Sequence, residues 1–110
     1  MKILSASEMK TADNQTVIKE QIESVDLMER ASMALFEQLQ KDFDIQDTLF
    51  SIVCGSGNNG GDGLALARII EQNGGAVNVY LLKSQKYSKD NFINQQRLES
   101  LNIPIRFFDL

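Results

Sequence analysis

An apolar run, Thr48-Leu49-Phe50-Ser51-Ile52-Val53-Cys54, leads straight into Gly55-Ser56-Gly57-Asn58-Asn59-Gly60-Gly61-Asp62-Gly63, and a helical pattern opens directly behind it. A short run rich in β-branched and aromatic residues has the pattern of a buried strand in a parallel sheet. The helical pattern, carried by Leu64, Leu66, Ala67, Ile69 and Ile70, stops at Gly74-Gly75, where glycine suits a C-cap. Strand, glycine-rich turn and helix in that order leave few architectures open.

The rest of the chain narrows the choice. Ala76 to Leu82 is a second apolar strand, Ser88 can cap a helix carrying Phe92, Ile93 and Leu101, and Ile103 to Phe108 is a third strand with Pro104 near its start. Strands separated by helices must run parallel, so residues 48–108 are expected to form a βαβαβ unit. The predicted class is α/β, a Rossmann-like three-layer αβα arrangement around a parallel sheet. Upstream, Ser5 and Glu8 read as a capping box ahead of Met9, Ala12 and Thr16. Ile18, Ile22, Val25, Met28, Ala31, Leu35 and Leu39 then recur at spacings of three or four, with Ser24 as an internal cap. Residues 1–41 are therefore expected to hold two consecutive helices. Because the chain stops at Leu110, directly after the third strand, we expect a domain truncated there. Its apolar sheet edges would lack partners and favour a homodimer or higher self-association.

Composition excludes several classes. With 43% hydrophobic and 24% charged residues, seven glycines and one proline, the chain is neither disordered nor fibrous. A net charge of −4 with scattered basic residues disfavours nucleic acid and anionic membranes as partners. No apolar stretch approaches the roughly 20 residues of a membrane-spanning helix. One cysteine and an amino terminus without a leader-like apolar run point to a cytoplasmic setting. Histidine is absent, so histidine-based triads are ruled out and zinc loses its usual nitrogen ligand.

Chemistry concentrates in the glycine-rich turn. Gly55 to Gly60 spells G-x-G-x-x-G after a strand and before a helix, the context that this motif requires. Glycines allow a tight turn and close approach of a ligand, while the helix start offers unpaired N–H donors and a partial positive charge. Phosphate or pyrophosphate suits such a site. Ordinary dinucleotide folds place an acid at the end of the second strand to hold ribose hydroxyls. Here no Asp or Glu lies between Gln72 and Lys89, which disfavours a standard nicotinamide dehydrogenase. Lys83, at that place, is either a phosphate contact or a plain surface lysine. Asn58, Asn59 and Asp62 are unusual in a pure phosphate cradle. They are hard oxygen donors for ribose hydroxyls or a cation, or else Asp62 caps the helix and the asparagines serve the turn.

The stretch GSGNNGGDG after an apolar strand resembles the amino-terminal YjeF-type domain of NAD(P)HX epimerases. Met9-Lys10-Thr11-Ala12-Asp13 and Leu27-Met28-Glu29-Arg30-Ala31 resemble two helical signatures of the same family. The resemblance spans the whole chain but only the first part of the family's domain. It implies an isomerase that interconverts the C6 epimers of hydrated NADH or NADPH (NADHX or NADPHX), a repair of damaged nicotinamide cofactor. It also implies that Asn58, Asn59, Gly60, Gly61 and Asp62 bind this substrate and that Asn59 ligates K+. The family's catalytic aspartate and remaining potassium ligands would lie beyond the third strand, so no catalytic residue is assigned in this chain. The alternative is a non-catalytic YjeF-type module that binds nucleotides or protein partners. Asp13 and Glu29 are read as surface or capping acids ahead of any catalytic role, Cys54 as a core residue, and Met28 and Met33 as packing.

Overall fold

The computed structural model describes residues 23–110, so the helical readings placed on Ser5 through Ile22 lie outside the described residues. In chain order the elements are α1 (Ser24–Asp42), a 3-10 turn (Ile45–Asp47), β1 (Leu49–Cys54), α2 (Asn58–Gln72), β2 (Ala76–Leu82), α3 (Lys89–Ser100) and β3 (Ile105–Phe108). The three strands form one parallel sheet in the order β1-β2-β3, with Ile52 opposite Val79 and Val79 opposite Ile105. This is the α/β, Rossmann-like αβα arrangement that the strand and helix alternation predicts.

Alternation along the strands builds the core. Phe50, Ile52 and Cys54 of β1 and Val79 and Leu81 of β2 join one cluster with Leu64, Leu66, Ala67, Ile69 and Ile70 of α2. The helix is buried from Gly60 through Ala67 and again at Ile69 and Ile70, because it packs on β1, β2, α1 and α3 together. Each fully buried Leu or Ile contributes about 1.5–3 kcal/mol. The turn in front of α2 is thus mounted on a firmly held element. At the far end, Gly74 takes φ +88°, a left-handed conformation that suits glycine just past the helix.

Three expectations need correction. β1 does not bury all of its apolar residues: Leu49 and Val53 remain 44% and 45% exposed on the face away from α2. On that face Val53, Tyr80 and Phe108 line an apolar depression of about 250 Å3. Ser24 opens α1, but Glu23 holds the N-cap position and no side-chain cap bond forms. The largest difference is in α3. Phe92 and Leu101, read as its apolar anchors, are 52% and 43% exposed, whereas Asp90, Asn91, Asn94, Gln95 and Leu98 are buried. Ser88 does cap this helix, accepting the Asn91 amide at 3.2 Å.

Candidate functional site

The turn from Gly55 to Gly57 joins the carboxyl end of β1 to the start of α2, with Gly57 as N-cap in an extended conformation and no side chain capping the helix. The first return bond runs from the Gly61 amide to the Gly57 carbonyl at 3.1 Å. Helix geometry leaves the Asn58, Asn59 and Gly60 amides ahead of that bond without an intrahelical acceptor. Asn58 is exposed and Asn59 half-buried, whereas Gly60 is buried, so the first two of these positions, at the positive end of the helix dipole, face solvent.

The turn is held in shape from behind by α3. The Asn91 carboxamide, fully buried, donates to the Gly55 carbonyl at 2.9 Å and the Gly57 carbonyl at 2.8 Å. Its oxygen accepts from Gln95 Nε2 at 2.8 Å, and the Ser88 amide donates to the Ser56 carbonyl at 3.0 Å. Space is correspondingly tight. A Cβ on Gly60 would lie 1.9 Å from the Gly55 oxygen and 2.9 Å from Asn91 Nδ2. On Gly61 it would lie 2.9 Å from the Met28 sulfur. These two glycines are required by packing behind the turn, whereas Gly55 and Gly57 have open space where a Cβ would stand.

The five residues singled out from the sequence therefore fall into two layers. Asn58 and Asn59 face outward from the first turn of α2. Gly60, Gly61 and Asp62 are buried beneath them, Asp62 completely. Asp62 does not cap α2, since it lies in the second turn; its own carbonyl accepts the Ser32 hydroxyl at 3.0 Å and ties α2 to α1.

Other candidates resolve into structural roles. Glu29 of α1 forms ion pairs with Arg68 of α2 and, at 3.8 Å, with Arg97 of α3. It pins three helices together, and Asp13 lies outside the described residues. Lys83 is exposed and pairs with Asp109 at 3.4 Å. Cys54 is 1% exposed, and desolvation pushes its thiol from 9.0 up to about 12, which leaves it neutral and unreactive. Met28 is buried against the turn, but Met33 is 40% exposed and does not pack in the core. No helix among the described residues is long and apolar enough to cross a membrane.

Sequence reasoning missed Asn91 and Gln95. The available signal was a polar stripe, Asn91, Asn94 and Gln95, in register with the apolar Leu98 at the spacing of one helical face. Such a stripe reads as a solvated surface unless its partners are known.

The family model described as YjeF-related protein N-terminus matches residues 24–109. The chain belongs to this family. A NAD(P)H-hydrate epimerase of Oenococcus oeni is 36% identical over 104 residues, 92% of this chain and 49% of that protein. A NAD(P)H-hydrate epimerase of Lentilactobacillus buchneri is 33% identical over 97 residues, 86% of this chain and 44% of that protein. A bifunctional NAD(P)H-hydrate repair enzyme of Dictyoglomus turgidum is 41% identical over 75 residues. The crystal structure of yeast ynu0 superposes with a TM-score of 0.70 at 21% identity, covering 97% of this chain and 47% of the yeast chain, which shows the shared fold. This YjeF-type chain thus spans about half the length of the epimerases that it matches.

Proposed function

We propose that the protein is an NAD(P)H-hydrate epimerase, an isomerase that interconverts the C6 epimers of NADHX and NADPHX, and that this chain supplies its substrate-binding turn. The observation that carries the reading is the solvent-facing start of α2, where the amides of Asn58 and Asn59 lack intrahelical acceptors and stand beside the two carboxamides. A dinucleotide hydrate brings a pyrophosphate, which suits those amides, and ribose hydroxyls, which suit carboxamides that both donate and accept. The names of the relatives support the substrate class. Gly60, Gly61 and Asp62 contribute from beneath, shaping the turn on which the ligand rests.

The donor chemistry also fits a potassium ion. A half-buried carboxamide oxygen at Asn59 is a neutral, hard ligand, and such an ion would offset pyrophosphate charge beside the turn. Epimerisation at a hydroxyl-bearing ring carbon needs a positioned proton donor and acceptor. Neither Glu29, committed to two arginines, nor the neutral thiol of Cys54 is placed for that task. We place the reaction in a cytoplasmic setting and expect the chain to self-associate along its sheet edges.

The test supplies one hydrate epimer to the purified full-length protein, rather than to the 110-residue chain alone, and follows appearance of the other by NMR. Exchange that is faster in potassium than in sodium is the expected result. Binding of the hydrate with no exchange in either salt would refute the epimerase reading and leave a YjeF-type binding module.

A further inference from the structure

We infer that Asn91 is a positioning residue for the anion held at the α2 turn, acting through two peptide planes without touching the ligand. The inference rests on the binding role proposed above for this turn and adds a residue on a different helix that governs it. Asn91 is fully buried on α3, 34 and 36 residues along the chain from the two carbonyls that it grips.

The geometry explains what the grip accomplishes. The described peptide bonds are all trans, so each N–H points opposite to the carbonyl of its own peptide unit. Pulling the Gly55 and Gly57 carbonyls inward, at 2.9 and 2.8 Å, turns the N–H groups of Ser56 and Asn58 outward. Two outward amides, two residues apart at a helix start, form a concave set of donors of the kind that holds phosphate oxygens. Without the grip the Gly55 carbonyl loses this anchor and the Gly57 carbonyl keeps its bond from the Gly61 amide at 3.1 Å, so the two donors are held in one orientation less firmly.

Asparagine is suited to this work for a specific reason. Both carbonyls are acceptors, so one side chain must supply two donor hydrogens, which a carboxamide has and a carboxylate lacks. Gln95 settles which way the amide faces: its Nε2 donates to Asn91 Oδ1 at 2.8 Å, leaving Asn91 Nδ2 for the turn. Gly60 completes the arrangement, since a Cβ there would stand 2.9 Å from Asn91 Nδ2 and displace it. Asn91, Gln95 and Gly60 are thus one device, assembled from two helices, that fixes the donor geometry of a third segment.

The test compares Asn91→Asp, which keeps the shape and removes the donors, with Leu98→Ala, which removes a fully buried side chain two turns further along α3. NADP+ and inorganic pyrophosphate serve as stable probes in titrations of the full chain. We expect Asn91→Asp to weaken both probes at least tenfold and by similar factors, Asn91→Ser to fall between it and the wild type, and Leu98→Ala to lower the Tm while changing affinity less than twofold. Affinity losses that simply follow Tm across the three variants would overturn the inference, as would an Asn91→Asp variant that binds like the wild type. A ligand-free readout separates this inference from the functional reading. Hydrogen exchange at the Gly61 amide, bonded to the Gly57 carbonyl, is measured relative to Ile69 in the same helix, which corrects for global opening. That ratio should rise at least tenfold in Asn91→Asp and stay constant in Leu98→Ala. If the wild type binds neither probe, the functional reading fails. The exchange ratio then decides alone whether Asn91 sets the turn, and an unchanged ratio rejects it.

Discussion

Replacing Gly60 with alanine tests directly whether the turn is built by close packing. The new Cβ would sit 1.9 Å from the Gly55 oxygen and 2.7 Å from its carbon, both backbone atoms that cannot rotate aside. Moving that oxygen to at least 3.0 Å requires a retreat of roughly 1.1 Å. Overpacking of this kind costs about 1–3 kcal/mol. The retreat also breaks the 2.9 Å bond from Asn91, worth about 0.5–1.5 kcal/mol. Alanine's better helix propensity returns about 1 kcal/mol. The net loss is therefore roughly 0.5–3.5 kcal/mol, centred near 2, which for a chain of this size lowers Tm by about 8–16 °C. Thermal and urea unfolding followed by circular dichroism measure it, with Gly55→Ala as control. That control meets nothing within 4 Å and should stay within about 0.5 kcal/mol of the wild type. A Gly60→Ala protein whose Tm matches that of Gly55→Ala would refute the packing argument.

Three further expectations follow from the same geometry. Gly57→Ser places a capping hydroxyl at the start of α2; stability should rise by a few tenths of a kcal/mol while the hydroxyl oxygen competes for an amide, weakening pyrophosphate binding by about 2–10-fold in a titration. Glu29→Ala removes the carboxylate partner of Arg68, whose side chain is only 13% exposed and keeps its bond to Gln72 Oε1 at 2.9 Å, and should cost roughly 1–2 kcal/mol in urea unfolding, a figure reduced because Glu29 itself is 34% exposed. A loss of turnover at unchanged stability would instead make Glu29 part of the chemistry. Cys54 should resist a thiol reagent at pH 8 until urea unfolds the chain. Its folded pKa is raised from 9.0 to about 12, so the folded state retains the proton longer. The stabilisation from the neutral thiol is intact below pH 9.0 and is lost as pH rises towards about 12. A pH titration of the unfolding midpoint reads this, and a midpoint that rises across that window would contradict it.

Much of the fold was legible because it depends on local patterning. The bounds of β2 follow from its apolar run, and the end of α2 is marked by Gly74-Gly75, the first of which takes the left-handed conformation. The turn at Gly55–Gly63 announced itself because only a strand-to-helix junction that needs close backbone approach concentrates glycine in this way. What stayed hidden was which face each element would bury. Phe92 and Leu101 look like core residues, yet α3 turns Asn91, Asn94 and Gln95 inward. Hydrophobicity argues against that orientation, and it becomes favourable because Asn91 bonds the carbonyls of a turn more than thirty residues away, Gln95 bonds Asn91, Asn94 bonds the Asp90 carbonyl, and Leu98 is buried on the same face.

The sequence alone determined the α/β class, the order of the elements from α1 to β3 and the position of the glycine-rich turn, because spacing, propensity and glycine content act over a few residues at a time. Tertiary structure alone decided that Glu29 joins three helices, that Asp62 is enclosed, and that Asn91 grips the turn. Each of these depends on a partner distant in the chain, and a buried polar group is stable only where that partner is waiting.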